Sequence, residues 1–599
     1  MSANLLIIFV VSQNGLNHFF MQHLKYLNKF LWNYRTTLLL GLFFVFITNI
    51  FAIYPAEFVR NALDSLMEKI NTQENDNISL ILLKYGGLII LFAILKGVFL
   101  YFTRQTLIVM SRKIEYDLKN EVFNQYQKLS LGFYKKNKTG DLMNRITEDI
   151  TKVRMYLGPA IMYTINLSIL FSLVVYKMCC VSLTLTAYVL LPLPILAISC
   201  YLVSNKINKK SEKVQSQLST ITSISQEAFS GIRIIKSFTN EENSIDLFYQ
   251  NCKKYTKRQI ELVKLEAMFI PLIVTLIGIS TVLIIYIGGL EVFKGNITTG
   301  NIAEFIIYVN MLAWPVASVG WVTSLIQRAA ASQERVNEFL NIVPEIQNTS
   351  DSKNPINGDI EFKDVSLVYD DTKIKALNKI NFKISAGKQI GIFGKTGSGK
   401  TSIVNLICRL YDVTDGQIKI NDLDIKLNNL NTLRLSIGYI PQDGYLFSGT
   451  IRENIGFAND IFDDRDIEIA AEKAEILDEI NSFPDKFDTI IGERGIQLSG
   501  GQRQRLAIAR VFLKKPEIYI FDDCLSAIDA NKEQEILENL RKEVKDKTTI
   551  IISHRVSTLE KSDNIIVIDQ GSIIENGTHK SLIKNKGFYS QMHENQSNN

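Results

Sequence analysis

The chain has 599 residues, 47% of them hydrophobic, and a formal net charge of +5. That length exceeds a single domain, and the hydrophobic fraction suits a chain that is half membrane and half soluble. So small a charge makes no case for nucleic acid as a partner. The six cysteines, Cys179, Cys180, Cys200, Cys252, Cys408 and Cys524, show no metal-ligand spacing. They read as small buried hydrophobes in a reducing compartment.

The first apolar run, Leu5 to Val11, is too short to span a bilayer, and no Lys or Arg precedes it as in a signal peptide. From His18 to Arg35, aromatic residues mix with Lys and Asn, the pattern of an interfacial helix. Residues 1–35 are therefore expected to form an N-terminal extension and interfacial helix. Six segments within 36–343 are long and apolar enough to cross a membrane, near 36–54, 85–102, 156–176, 178–203, 267–290 and 302–326. The third and fourth are joined almost directly around Lys177, the fifth and sixth by a short loop. Two long polar stretches hold most of the basic residues. One carries Arg104, Arg112, Lys113, Lys119, Lys135, Lys136, Lys138 and Arg145; the other carries Lys206, Lys209, Lys210, Lys213, Arg233 and Lys236. This bias places the long loops and both termini in the cytoplasm, as helices continuing out of the membrane. Within the spans, Lys96 either contacts substrate, pairs with a neighbouring helix or snorkels. Pro192, Pro194, Pro271 and Pro315 are expected to kink their helices. In the loops, 132–145 and 226–238 each place a glycine before an amphipathic turn.

A polar, turn-rich linker at 344–358 marks the clearest boundary in the chain. Beyond it, over 359–592, short apolar strands alternate with helical stretches, the pattern of an α/β domain with a largely parallel sheet; 593–599 is left as a tail. Here Gly394, Lys395, Thr396, Gly397, Ser398, Gly399, Lys400 and Thr401 fit the phosphate-loop pattern G-x-x-x-x-G-K-[ST]. An apolar strand precedes them, and a helical run opening at Ser402 follows. Glycines let backbone N–H groups close on phosphate oxygens, and the helix N-terminus adds partial positive charge. Lys400 would contact the β- and γ-phosphates and Thr401 would hold Mg²⁺. A bare glycine-rich turn seldom matches all eight positions.

Other candidates follow in order. Tyr369 either stacks on an adenine or packs as a core aromatic. Gln442 ends an apolar run where an amide reaches Mg²⁺ or water. Ser499, Gly500, Gly501 and Gln502 follow Leu498 and precede an Arg-rich helix, offering hydroxyl and backbone donors to a γ-phosphate. Asp522 closes an apolar strand as a Mg²⁺-organising carboxylate should. His554 follows another such strand and is placed to contact the γ-phosphate.

Together these motifs resemble the ATP-binding-cassette (ABC) exporter half-transporters, of the type IV multidrug or lipid-flippase-like kind, from about Lys25 to Gln591. Leu498 to Gln502 read as the family signature LSGGQ, and the stretches 492–495 and 526–529 also fit. The resemblance implies a six-helix α-helical membrane domain fused to an α/β P-loop NTPase domain with a helical subdomain. It implies two such chains per transporter, each phosphate loop facing the other chain's Ser499, Gly500, Gly501 and Gln502 across ATP. Catalysis would fall to Asp523, His554 and Gln442, and Mg²⁺ to Thr401, Gln442 and Asp522. The loop segments 132–145 and 226–238 resemble the coupling regions that transmit domain closure to the helices. The chain would be a multi-pass protein of the bacterial cytoplasmic (inner) membrane, in contact with lipid and a hydrophobic or amphipathic substrate.

One residue departs from the family pattern. Asp523 stands where a water-polarising Glu is usual, withdrawing the carboxylate by roughly 1.5 Å. A misplacement of about 1 Å can cost on the order of a hundredfold in rate. The shorter side chain resembles the degenerate-site subunit of heterodimeric exporters, so a second half-transporter bearing Glu is the expected partner, with a homodimer of slow turnover as the alternative. Readings of a different class are a nucleotide-gated channel or a regulator on the same fold; peptide is the alternative substrate.

Overall fold

The computed structural model describes residues 22–72, 78–351, 355–459, 461–492, 498–525, 528 and 530–597. The expected N-terminal extension up to residue 21, residues 493–495 of the stretch 492–495, and residues 526, 527 and 529 of the stretch 526–529 lie outside the described residues. The chain divides into two compact units. One comprises Met1–Tyr126 with Gly140–Ile342; the other comprises Gln127–Thr139 with Val343–Asn599.

Among its described residues, the first unit has helices joined by short turns and no strand. Asn28–Asn33 and the turn before it bury Leu24, Leu27 and Phe30, while Tyr26 and Lys29 bond Glu121 and Tyr34 bonds Asp117. The apolar face of this short amphipathic helix is thus spent on protein. Among the described residues, five helices are long and apolar enough to cross a membrane: Arg35–Ile70, Ile78–Lys128, Thr139–Val181, Glu241–Phe293 and Thr299–Leu340. Glu241–Phe293 has 53 residues, about 80 Å at 1.5 Å per residue, against a hydrocarbon core of about 30 Å. The long polar stretches are therefore continuations of spans, as expected. None of the apolar window of Ile78–Lys128 is buried, whereas 53% of that of Thr299–Leu340 is. The former presents its side chains outward, as lipid requires, and the latter is a packing centre.

The fourth expected span differs from the reading at 178–203. The third helix runs on through Lys177 to Val181, and the chain breaks at Ser182, which is extended and caps Leu183–Leu190 by accepting from Leu185 N–H at 3.3 Å. A second helix, Pro192–Ser230, follows. Lys177 does not end the third helix because it stays paired with Glu57. Pro192 and Pro194 kink nothing. They sit in the first turn of a new helix, where a missing N–H leaves no bond unmade.

The short-loop ends are tied by polar contacts. Glu304 is 1% exposed and accepts from Arg60 at 3.1 Å and Tyr308 at 2.8 Å. Asp64 accepts from Thr298 Oγ1 at 2.8 Å and from Gly300 N–H at 3.0 Å. A Cβ on Gly300 would lie 2.5 Å from the Arg60 carbonyl oxygen, so only glycine permits this approach. Lys96 is exposed on its helix.

In the second unit, a six-stranded sheet runs β12-β11-β3-β10-β9-β6 and a four-stranded antiparallel sheet runs β2-β1-β4-β5. The strands are β1 (Ile360–Val368), β2 (Lys375–Ile384), β3 (Gln389–Gly394), β4 (Asp415–Ile420), β5 (Leu423–Asp424), β6 (Ile437–Ile440), β7 (Gly449–Thr450), β8 (Ile490–Ile491), β9 (Ile518–Asp522), β10 (Thr548–Ile552), β11 (Asn564–Asp569) and β12 (Ser572–Gly577). The strands β11, β3, β10, β9 and β6 are mutually parallel. Their side chains alternate between two cores: Ile518 and Ile520 pack with the antiparallel sheet, Tyr519 and Phe521 with the helices on the other face. Burial on both faces explains why these strands read as unbroken apolar runs.

The segment 127–139, expected with the membrane domain, packs with this unit instead. Its helix Leu131–Lys136 follows Ser130, whose hydroxyl donates to Glu345 at 2.8 Å. The second loop segment likewise forms a short helix, Ile232–Ser237, within the first unit. The expected tail is helical to Ser597, in the helix Phe588–Ser597.

Candidate functional site

Parallel strands bring the motifs together. The phosphate loop leaves the C-terminal end of β3, His554 follows β10, Asp522 ends β9 and Gln442 follows β6. Register aligns Ile552 with both Asp522 and Ile392, and Ile440 with Phe521. Residues more than a hundred positions apart therefore meet along one edge, the crevice where open α/β sheets bind ligands.

Backbone conformation explains the glycines. Gly397 and Gly399 have φ of +80° and +106°, a region that L side chains rarely adopt. A Cβ on Gly399 would also lie 2.5 Å from the Ala376 carbonyl oxygen. Among the described residues, Ser398 Oγ is buried without a hydrogen-bond partner, an orphan that a phosphate oxygen would satisfy. Lys400 is buried and donates to the carbonyl oxygens of Gly394 and Lys395, both at 2.8 Å. Burial lowers its pKa, opposed by the charges of Asp523 and Asp522. A desolvated ammonium curled over its own loop is ready to exchange carbonyl partners for phosphate. Lys395, Thr396 and Ser402 complete the loop and its helix Lys400–Ile407.

Asp522 is 2% exposed; burial raises its pKa, against hydrogen bonds from Thr401 and Tyr439. Asp522 and Thr401 thus bring carboxylate and hydroxyl oxygens together, a hard donor set that fits Mg²⁺. Gln442 presents an exposed side chain at the next strand end, and its carbonyl accepts from Gln504 at 3.3 Å. Asp523 has φ +48°, and its N–H donates to Ile552 O at 2.9 Å. Its carboxylate lies 3.9 Å from His554 Nε2, beyond hydrogen-bond range.

Tyr369 is fixed by its hydroxyl, 2.8 Å from Ser402 Oγ, and by an edge contact with Tyr411 at 5.1 Å. Lys135, from the segment 127–139, lies 5.1 Å from the Tyr369 ring centre and 5.5 Å from that of Tyr411. The segment 127–139 therefore touches the candidate adenine platform, a link that sequence reading missed because a single lysine gives no pattern. Tyr369→Ala is expected to weaken ATP binding about tenfold, from loss of one base–aromatic stack. Tyr369→Phe should change it little; fluorescence titration of an ATP analogue checks both.

The signature turn caps the helix Gly500–Lys514. Ser499 Oγ accepts from Gln502 N–H at 3.2 Å, and Gln502 Oε1 accepts from Ser499 N–H at 2.8 Å. This capping box frees the N–H groups of Gly500 and Gly501 to face outward. Among the described residues, no hydrogen bond joins 498–502 to 394–402 of the same chain. A residue with no sequence signal holds this turn. Glu479 accepts from Gln502 at 3.0 Å, from Arg505 twice at 2.8 Å and from Lys532 at 2.6 Å. Burial alone would raise its pKa, but the bonds from Lys532, Gln502 and Arg505 outweigh it and hold Glu479 below the usual carboxylate range. Glu479→Ala leaves the buried Arg505 with only the main-chain carbonyls of Glu475 and Gly501 and is expected to cost about 2 kcal/mol. Thermal unfolding should show it, with ATPase falling in step as the signature turn loosens.

A strand-end constellation of this kind defines an ABC-type ATPase, and the membrane unit makes it a transporter. The family model for the ABC transporter transmembrane region matches residues 38–316, and a second, for the ABC transporter, matches 377–526. The chain belongs to the ABC transporter family: it is an exporter half-transporter that couples ATP hydrolysis to transport. It is 32% identical over 578 residues to the "Probable multidrug resistance ABC transporter ATP-binding/permease protein" of Bacillus subtilis (strain 168), covering 96% of this chain and 97% of that one. It is 35% identical over 512 residues, 84% of each chain, to the "ATP-dependent lipid A-core flippase" of Syntrophus aciditrophicus (strain SB). Its fold matches that of a bacterial Atm1-family ABC exporter with ATP bound, at TM-score 0.77 and 24% identity, over 94% of this chain and 98% of that one.

Proposed function

We propose that this chain is the degenerate-site half of a heterodimeric exporter, moving an amphipathic, lipid-like or drug-like molecule out of the cytoplasmic leaflet of a bacterial inner membrane. Each phosphate loop binds Mg²⁺-ATP, and the other chain's signature turn closes over it. In this chain Lys400 and the loop amides hold phosphate, Thr401, Asp522 and Gln442 would hold Mg²⁺, and Asp523 with His554 would orient the attacking water. The metal would neutralise charge on the transferring phosphoryl group. The observation that carries the pairing is the residue itself: Asp523 follows the Mg²⁺-organising Asp522 with a side chain one methylene shorter than the usual Glu. A carboxylate withdrawn by roughly 1.5 Å positions water poorly, while this chain's own capped signature turn remains fit to complete a partner's site.

Two further features support the reading. The second loop segment leaves Phe229 and Phe238 77% and 79% exposed, as an apolar surface meant for another subunit would be. Two relatives are named for multidrug resistance and for ATP-dependent lipid A-core flipping, names that fit a cargo of this kind. The test is uptake of a fluorescent amphipathic drug into inside-out vesicles. An exporter accumulates it against its gradient only with ATP; a nucleotide-gated channel merely equilibrates it, and that result rejects the proposal.

A further inference from the structure

A second group of ligand-type side chains lies apart from the nucleotide motifs. Glu560, His579 and His593 each offer one ligand atom, and these atoms all fall within 4.8 Å of one another. They come from three places: Glu560 just beyond the short helix Val556–Leu559, His579 at the start of His579–Lys584, and His593 within Phe588–Ser597. The chain has five histidines, and two of them meet here with ring centres 5.6 Å apart. Donors around a tetrahedral Zn²⁺ stand about 3.4 Å apart for bonds near 2.1 Å. Glu560 is exposed and both histidines are half-buried, so small side-chain rotations would close that difference. The Tyr589 hydroxyl lies 3.0 Å from His579 Nδ1, and Tyr589 itself is fully buried. This contact fixes the imidazole and leaves Nε2 for an ion, the outer support that metal-binding histidines usually have.

The same helix reaches the nucleotide site. Gln596 Nε2 donates to the His554 carbonyl at 2.7 Å, and Gln596 Oε1 accepts from Val556 N–H at 2.8 Å. His593 stands nearly one turn before Gln596, and Glu560 ends the segment that Val556 begins. Ligands thus sit on both partners of this clamp.

We propose that Glu560, His579 and His593 form a binding site for a first-row divalent transition-metal ion, with Zn²⁺ its best-fitting member, which braces the C-terminal helix against the segment carrying His554. Two imidazoles and one carboxylate suit Zn²⁺ and leave a fourth position for water, whereas Mg²⁺ prefers oxygen throughout. Binding stands independently of the function proposed above; its effect on turnover rests on His554 acting in hydrolysis.

The test uses the full chain, purified in detergent and stripped with a chelator. Calorimetric titration with Zn²⁺, and visible absorption with Co²⁺, should each show one ion per chain. His593→Ala should weaken Zn²⁺ binding by more than about a hundredfold, exceeding the usual loss of an outer-shell partner. Glu560→Gln, at an exposed position, should weaken it about tenfold with ATP affinity unchanged. Zn²⁺ should shift ATPase at least twofold in the parent and not in His593→Ala. No saturable ion, or equal binding by both variants, overturns the site. Binding lost in the variants with ATPase indifferent to Zn²⁺ leaves the site and overturns the bracing if His554→Ala abolishes ATPase; if His554→Ala leaves ATPase unchanged, it is the role of His554 in hydrolysis that is overturned.

Discussion

Lys400→Ala is expected to reduce ATPase at least about a hundredfold, the scale of losing one preorganised charge donor at a phosphoryl group. In the folded protein the ammonium is already stripped of most water and bent onto the carbonyls of Gly394 and Lys395. Exchanging those carbonyls for phosphate therefore costs little reorganisation. Alanine removes the charge and leaves a loop whose amides alone face the phosphates. Lys400→Arg should not rescue it, because the planar guanidinium is larger and the site that holds Lys400 is 6% exposed. Radiolabelled ATP hydrolysis, with circular dichroism to confirm folding, checks both variants. Near-parental turnover in Lys400→Ala would remove the lysine from the site.

Asp523→Glu works in the opposite direction and should raise ATPase several-fold. The added methylene extends the carboxylate by roughly 1.5 Å, enough to bring it from 3.9 Å into hydrogen-bond range of His554. The backbone sets a counter-cost. At φ +48° the left-handed region tolerates Asp better than Glu, so the variant should lose up to about 1 kcal/mol of stability. Faster turnover together with a slightly lower Tm is thus the expected pair of results. Unchanged turnover would mean that the shorter side chain is already compensated.

Much of this was legible before any coordinates, for physical reasons. A phosphate loop needs glycine at positions of positive φ, as Gly397 and Gly399 show, so its pattern cannot drift far. Strands buried on both faces, such as β9 with Ile518 to Phe521, must be apolar throughout and so announce themselves. Helices that span a bilayer are equally plain, yet the break at Ser182 was not. The apolar run continues across it, and only the extended backbone of a capping serine divides the helices. Long-range partners left least trace. Glu479 and Gln596 are single polar residues in polar helices, and nothing nearby in sequence distinguishes a hub of the signature turn or a clamp on the His554 loop. The attachment of 127–139 to the nucleotide unit belongs with these, because Lys135 and Ser130 meet partners hundreds of residues away.

The chain is expected to bind ATP at a site it cannot itself turn over well. The direct measurement is the ATPase rate of the purified chain alone, reconstituted in lipid and titrated with an amphipathic drug, with ATP binding measured on the same sample. ATP binding with slow hydrolysis that the drug does not stimulate is the expected result. Fast, drug-stimulated hydrolysis by the chain alone would contradict it.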